Sequence, residues 1–353
     1  MMVSAVQSRL NWDLSTGYDF FLSQVAIYEP ERFGLRASWA AGVRSRLSVE
    51  DRQTLETFWQ IYFLPMHFIF SVDAPKDTAA ILKAIEHLPA AKRLDALTIS
   101  YETPADVKEI LSASSPRAKW TQAERDVIGE YYANHRREMT PTLLDMVYNS
   151  WAHREEFGQK HLSALKAYAD SFFFEEEHRI LPALQKGLSH AQMRAGTLPL
   201  PAMLEELSSG VRWAEITAAR KIYLAPSFWG APFLFTEHLD SSTILVVFGS
   251  RPDDMALIPG DIVPDNLLRG LKALADPTRL RILRTLAQAP QSAAHLSRVL
   301  RLRPPTVNHH LMELRMAGMV HVIISAEGDR YYATRFEGFE STYEQLTRFV
   351  SEE

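Results

Sequence analysis

Residues 303–320 read "RPPTVNHHLMELRMAGMV", and no other stretch constrains the fold as tightly. Prolines at 304 and 305 fit only the first turn of a helix, and Gly318 is the kind of residue that ends one. At about 100° per residue, Val307, Leu311 and Leu314 share one stripe. His310 lies beside that stripe. Thr306, His309 and Glu313 point the other way, with Asn308 on the flank. A helix over about 304–317 divided in this manner buries its apolar back against other helices and leaves a polar front free.

The flanking sequence supplies those partners. "NLLRGLKALA" reads as a helix. Asp276-Pro277 is an N-cap and N1 pair opening the helix "PTRLRILRTLA". Ser292 caps the short helix "SAAHLSRVL". "MVHVIIS", "AEGD" and "RYYATR" form a strand, a turn and a strand over about 319–335, and "GFESTYEQLTRFV" closes with a helix. Short helices followed by a hairpin predict a winged helix-turn-helix over 264–353. In that fold the second helix of the motif enters the major groove of double-stranded DNA. Thr306, Asn308 and His309 then face base edges. Arg303 and Arg315 flank the helix and reach phosphates, His310 packs the helix and contacts the backbone, and Arg330 extends the hairpin tip. Glu327 and Asp329 in the same tip oppose phosphate binding. Charge points the same way. The whole chain carries −5, but residues 264–335 carry +6 and residues 1–263 carry −7. A basic module on an acidic body fits a polyanionic partner.

"LKALADPTRLRILRTLAQAP…HLSRVLRLRPPTVNHHLMELRMAGMV" resembles the ArsR-type winged-helix transcriptional regulators over roughly the last 80–90 residues. The resemblance implies a homodimer joined through the outer helices, near 266–275 and 338–350. It also implies a pseudo-palindromic operator, usually repressed and released when an effector binds. This sequence departs from the family in placing Asn308-His309 where Ser-Arg is common, and Arg303 where a Ser N-cap is common. "GYDFFLSQVAIYEPERFGLRASWAAGVRSRLS" and "YLAPSFW" resemble, more loosely, an N-terminal extension of some long ArsR-type regulators, and that likeness implies no ligand.

Residues 256–266, "ALIPGDIVPDN", read as a linker, which divides the chain into 1–260 and 264–353. The fold class expected is mainly α with small antiparallel β elements: a large helical N-terminal domain and the C-terminal winged helix-turn-helix. In the first segment Ser48 and Thr121 are N-caps, Glu124 completes a capping box, and Ile81, Leu82, Ile85 and Leu88 make a helical stripe. Pro182 predicts a kink or break. "ITAARKIYLAPS", "APFLFTEH" and "STILVVFGS" predict two or three antiparallel strands near 215–250. The N-terminus shows no basic region followed by an apolar run, and "IYFLPMHFIF" (61–70) is too short to span a bilayer. The expectation is a cytoplasmic protein without a membrane partner.

The chain contains no cysteine, which excludes disulfides and thiolate metal sites. The resemblance brings two metal-site patterns, and neither fits. "AHLSRVL" lacks the cysteine pair, and the last helix lacks a histidine. His309 and His310 diverge by about 100° on a helix, so they are poorly placed to share one ion. No metal, no cofactor and no catalytic residue is expected. The first 263 residues hold no Gly-rich phosphate loop, no G-x-S-x-G elbow and no HExxH. They do hold 31 of the 37 aromatic residues. Trp39, Trp59, Tyr62, Phe63, His67 and Trp229 are therefore the candidates for a small-molecule effector pocket. The alternatives are a DNA-binding dimer whose N-terminal domain serves protein–protein assembly, and, third, an enzyme with an appended DNA module.

Overall fold

The computed structural model describes residues 9–135, 138–252, 255–258, 263–325 and 328–351, and over these the chain is mainly helical. Its contacts gather into two compact units. One comprises Leu14–Leu181 with Glu237–Ser241. The other comprises the chain before Leu14, Pro182–Thr236, and the chain from Ser242 onward. No helix among the described residues is long and apolar enough to cross a membrane.

The first unit is helical apart from the end of the strand Leu234–His238. At its centre runs α1 (Gly17–Tyr28), in which ten of the twelve residues are buried. A helix apolar on every side belongs inside a core. Two of its buried polar side chains, Ser23 and Gln24, are bonded by neighbouring aromatic residues. Tyr168 donates its hydroxyl to Ser23 at 2.9 Å, and Trp59 donates its indole N–H to Gln24 at 3.2 Å. Trp59 belongs to α2 (Val49–Ile61), which packs against α3 (Arg154–Tyr168). The other flank of α3 meets the helix Ala90–Thr98 so closely that a Cβ on Gly158 would lie 2.2 Å from the Ala90 carbonyl oxygen. The expected caps form. Ser48 accepts from the Asp51 N–H at 3.0 Å, and Thr121 with Glu124 completes its capping box. Pro182 does not break its helix, which runs from Phe174 to Thr197.

The second unit contains two small sheets. In the first, the strand order is β1-β3-β5-β4, from Leu10–Trp12, Lys221–Ser227, Thr243–Gly249 and Leu234–His238. Here the expected antiparallel direction fails for β3 and β5. β1 pairs with β3 in parallel, and so does β3 with β5. The physical reason is visible in "TILVVFG", buried from Thr243 through Phe248. A strand covered on both faces reads as an unbroken apolar run, which is the habit of parallel sheets. Its core includes Ile222, Leu224, Val246 and Phe248 packed with Met203 and Leu204 of α4 (Leu200–Leu207).

The second sheet orders β2 (Val211–Trp213), β6 (Val320–Ile324) and β7 (Arg330–Thr334). β6 and β7 form the expected antiparallel hairpin. β2 precedes α5 (Ala214–Ala218) and joins β6 in parallel, with Val211 opposite Val322 and Trp213 opposite Ile324. That pairing, together with bonds made by Arg315, ties residues near 208–213 and 232 to the winged helix. The two units consequently differ from the expected segments 1–260 and 264–353. Residues 259–262 of the expected linker lie outside the described residues.

Candidate nucleic-acid interface

Five helices frame the hairpin: α6 (Asp265–Leu274), α7 (Pro277–Leu286), α8 (Ala293–Leu300), α9 (Pro304–Met316) and α10 (Glu337–Ser351). Asp276 caps α7 by accepting the Arg279 N–H at 2.8 Å, and Ser292 caps α8 by accepting that of His295 at 3.2 Å. The turn between α8 and α9 is set by Arg301, which ends α8 at φ 55°. Gly318, at φ 68°, follows α9 as expected. Behind the hairpin, Gln291 and Tyr332 exchange both backbone hydrogen bonds, at 2.9 and 2.8 Å, so the loop before α8 is stitched to β7.

The apolar stripe of α9 lies where its spacing requires. Val307, Leu311 and Leu314 are buried in one cluster with Ile282, Leu286, Leu296 and Leu300. Arg303, Thr306, Asn308 and His309 are exposed, and Arg330 is exposed at the start of β7. The front of the helix thus offers one hydroxyl, one amide and one imidazole, groups that read base edges. The sequence reading missed Met312, which is exposed one turn beyond His309. Its signal was the spacing of three residues from His309, and its thioether can touch a thymine methyl. It also missed Arg298 and Arg301, exposed near the turn into α9, which "SRVLRLRPP" shows as basic residues close to Arg303.

His310 is half-buried, as a packing role requires, and burial lowers its pKa although Asp276 nearby opposes the shift. The expectation for Arg315 needs correction. Arg315 is 8% exposed and points inward. Its guanidinium donates to the carbonyls of Ser208 at 2.7 Å, Pro232 at 3.0 Å and Ser209 at 3.4 Å. Ser208 and Ser209 follow the end of α4, where carbonyls lack helical partners and the helix dipole is negative. Arg315 caps that end. Burial, with Arg335 as a lesser cause, brings its pKa down to about 10, so it remains a cation. Arg315 follows Leu311 by four residues and so borders the apolar stripe, but nothing in a one-dimensional pattern reveals the carbonyls that draw it in.

His309 and His310 have ring centroids 5.8 Å apart, inclined at 51°. Among the described residues no three His, Asp or Glu side chains gather as a metal site would need.

The six effector-pocket candidates do not converge. Trp59 and Tyr62 are buried in the helical unit, where Tyr62 bonds Ser150. Trp39 packs edge-on against Phe172, and Phe63 packs against Tyr132 and His135. His67 sits between Glu237 Oε1, 2.8 Å from Nδ1, and the Ala96 carbonyl, 2.9 Å from Nε2. Trp229 is fully buried in the other unit. None of the six lines either cleft described for the chain, one in each unit. Aromatic side chains dominate core energetics, and here they serve packing.

Residues 276–322 match the family model described as bacterial regulatory protein, arsR family. The matched segment begins at the cap of α7 and ends within β6, so it covers the helix-turn-helix. This is a family of DNA-binding transcriptional regulators, and the chain carries that domain in its C-terminal region. No curated protein and no solved structure matches the chain.

Proposed function

From an arsR-family segment that coincides with a helix-turn-helix, we propose that the protein is a sequence-specific transcriptional regulator whose helix α9 lies in the major groove. The observation carrying this reading is the division of α9 into a buried apolar back and an exposed front of Thr306, Asn308 and His309. The hairpin 319–335 rests beside it, with Arg330 toward the backbone. The assembly is a homodimer on a pseudo-palindromic operator. It acts as a repressor, as members of the resembled family usually do, and a small molecule relieves it.

The double variant Asn308→Ala/His309→Ala is expected to lose discrimination between operator and random duplex. Each lost base contact is worth about 1–3 kcal/mol. Arg303→Ala should instead weaken binding to every sequence alike and lower the salt dependence by about one released counterion. Selection of bound fragments from genomic DNA, followed by footprinting, separates the two. Undiminished operator preference in the double variant would remove α9 from the groove.

The dimer is supported by an apolar stripe on the outer helices. Leu268 and Leu271 on α6, and Tyr343 and Val350 on α10, are exposed. α6 and α10 cross closely, since a Cβ on Gly270 would meet Thr342 Oγ1 at 2.5 Å. Leu271→Glu/Tyr343→Asp is expected to shift the protein to monomer in sedimentation velocity and to weaken operator binding at least tenfold. A variant that sediments as the parent would place the dimer elsewhere.

A further inference from the structure

A cleft of about 410 Å³ lies in the unit that contains the winged helix, within the range of small-molecule sites. Its walls are apolar and come from several elements: Leu204 of α4, Trp213 of β2, Ile216 of α5 and Leu234 of β4. The remaining wall is the hairpin itself, through Ile323 and Ile324 of β6. An α-helix with side chains is about 10–12 Å across, so a cleft of this volume is too small to seat one as a partner.

Three polar residues interrupt the apolar lining, Glu205, Arg212 and Thr217, and the Thr217 hydroxyl donates to the Ala214 carbonyl at 2.7 Å. Glu205 takes the Arg212 Nε–H at 2.8 Å and lies 3.0 Å from His321 Nδ1. Helix α4, strand β2 and strand β6 therefore meet at a single carboxylate. Arg212 already balances its charge. A charged ligand would be desolvated here without an opposite partner, which is costly, whereas one neutral donor finds a carboxylate oxygen.

The position of the cleft determines what filling it does. β6 is both its wall and the first strand of the hairpin, and Ile324 is followed directly by the turn residue Ser325. β2 is held to β6 by parallel pairing, including the Val322 N–H to Gly210 carbonyl bond at 3.0 Å. The segment leading into β2 begins at Ser208 and Ser209, whose carbonyls hold Arg315 of α9. Gly210, at φ 106°, leaves no space for a side chain there, since a Cβ would lie 2.9 Å from Arg335 Cδ. A molecule wedged among α4, β2 and β6 therefore bears on the hairpin and on the C-terminal end of the DNA-reading helix together.

We propose that this cleft is the effector site, that it takes an uncharged aromatic molecule of two to three rings bearing one hydrogen-bond donor for Glu205, and that its occupancy shifts the hairpin relative to α9. The effect on DNA rests on the reading of α9 as the groove helix, while the binding does not.

The probe is N-phenyl-1-naphthylamine, which is uncharged, aromatic and carries a single N–H. Titrated into the full chain without DNA, it should brighten and quench Trp213. Ala214→Phe narrows the mouth of the cleft from an exposed position on α5 and should weaken the probe at least tenfold. Glu205→Gln should weaken it about threefold or more. Without probe, Ala214→Phe should bind operator within twofold of the parent. Saturating probe should lower operator affinity at least fivefold in the parent and leave Ala214→Phe unchanged. Absence of probe binding to the parent, or equal binding to parent and Ala214→Phe, overturns the site. Binding that leaves operator affinity unchanged overturns the coupling. If the parent binds no DNA in the absence of probe, the groove reading of α9 fails, and the probe titrations still decide the site.

Discussion

Replacing Arg315 by methionine is expected to cost about 3 kcal/mol or more of stability, which makes it one of the most damaging single changes on α9. Methionine keeps much of the apolar stem and removes the donors. The carbonyls of Ser208 and Pro232, now bonded at 2.7 and 3.0 Å, then lose a charged partner inside the protein. A hydrogen bond to a charged group contributes roughly 1.5–3 kcal/mol, and a buried acceptor left alone costs its desolvation. Arg315→Lys should recover only part of the loss, because one ammonium cannot reproduce a planar fork over three acceptors. Urea unfolding at pH 7.5 measures both. The same variants separate the two roles the sequence leaves open. If Arg315 is a cap inside the protein, folded Arg315→Met keeps the parent's salt dependence of DNA binding. A salt dependence lowered by about one counterion would return Arg315 to the phosphates.

The second large effect concerns acid. His161 is 3% exposed, and its ring stacks on Phe58 with centroids 4.2 Å apart and planes 13° apart. Its Nε2 is buried without a hydrogen-bond partner. Burial alone lowers its pKa from 6.5 to about 3. The unfolded chain thus takes up this proton more readily than the folded one. The stability that His161 contributes is complete above pH 6.5 and is lost as pH falls from 6.5 toward 3. At about 1.4 kcal/mol per pH unit, that amounts to about 2–3 kcal/mol by pH 4.5. His161→Phe retains an aromatic ring against Phe58 and has no proton to gain. It should match the parent within about 1 kcal/mol at pH 7.5 and exceed it at pH 4.5. Urea midpoints at the two pH values test this, and parallel losses in parent and variant would refute it.

The C-terminal part of the molecule was legible because its information is local. Asp276-Pro277, Ser292, the prolines at 304 and 305, and Gly318 are start and stop signals that act within one helical turn. The stripe Val307, Leu311 and Leu314 needs only a period of 3.6. What escaped the reading is non-local. β1 finds β3 across more than two hundred residues, and β2 finds β6 across more than a hundred. Strand pairing carries no fixed sequence separation. The direction of β3 and β5 was misread because three short apolar segments with turns between them look like a meander. Only their burial on both faces distinguishes the parallel case. Arg315 was misread for a related reason: an arginine on a DNA-reading helix is a phosphate contact by default, and its acceptors stand more than eighty residues away in sequence. The effector candidates do not converge on one cleft, because richness in aromatics locates a core, whereas a cleft is defined by which atoms are missing between elements.

The pairing of β2 with β6 bears on where this protein can be cut. The Pro/Gly-rich stretch at 256–266 looks like a seam, and a fragment beginning there would contain every residue of the family match. Such a fragment would nevertheless carry β6 with one edge stripped of its partner, and Arg315 as a cation stripped of its carbonyls. An open strand edge is a template for self-association. The helix-turn-helix is here a graft that has grown into its stock: β2 completes its sheet, and the end of α4 neutralises the arginine at its far end.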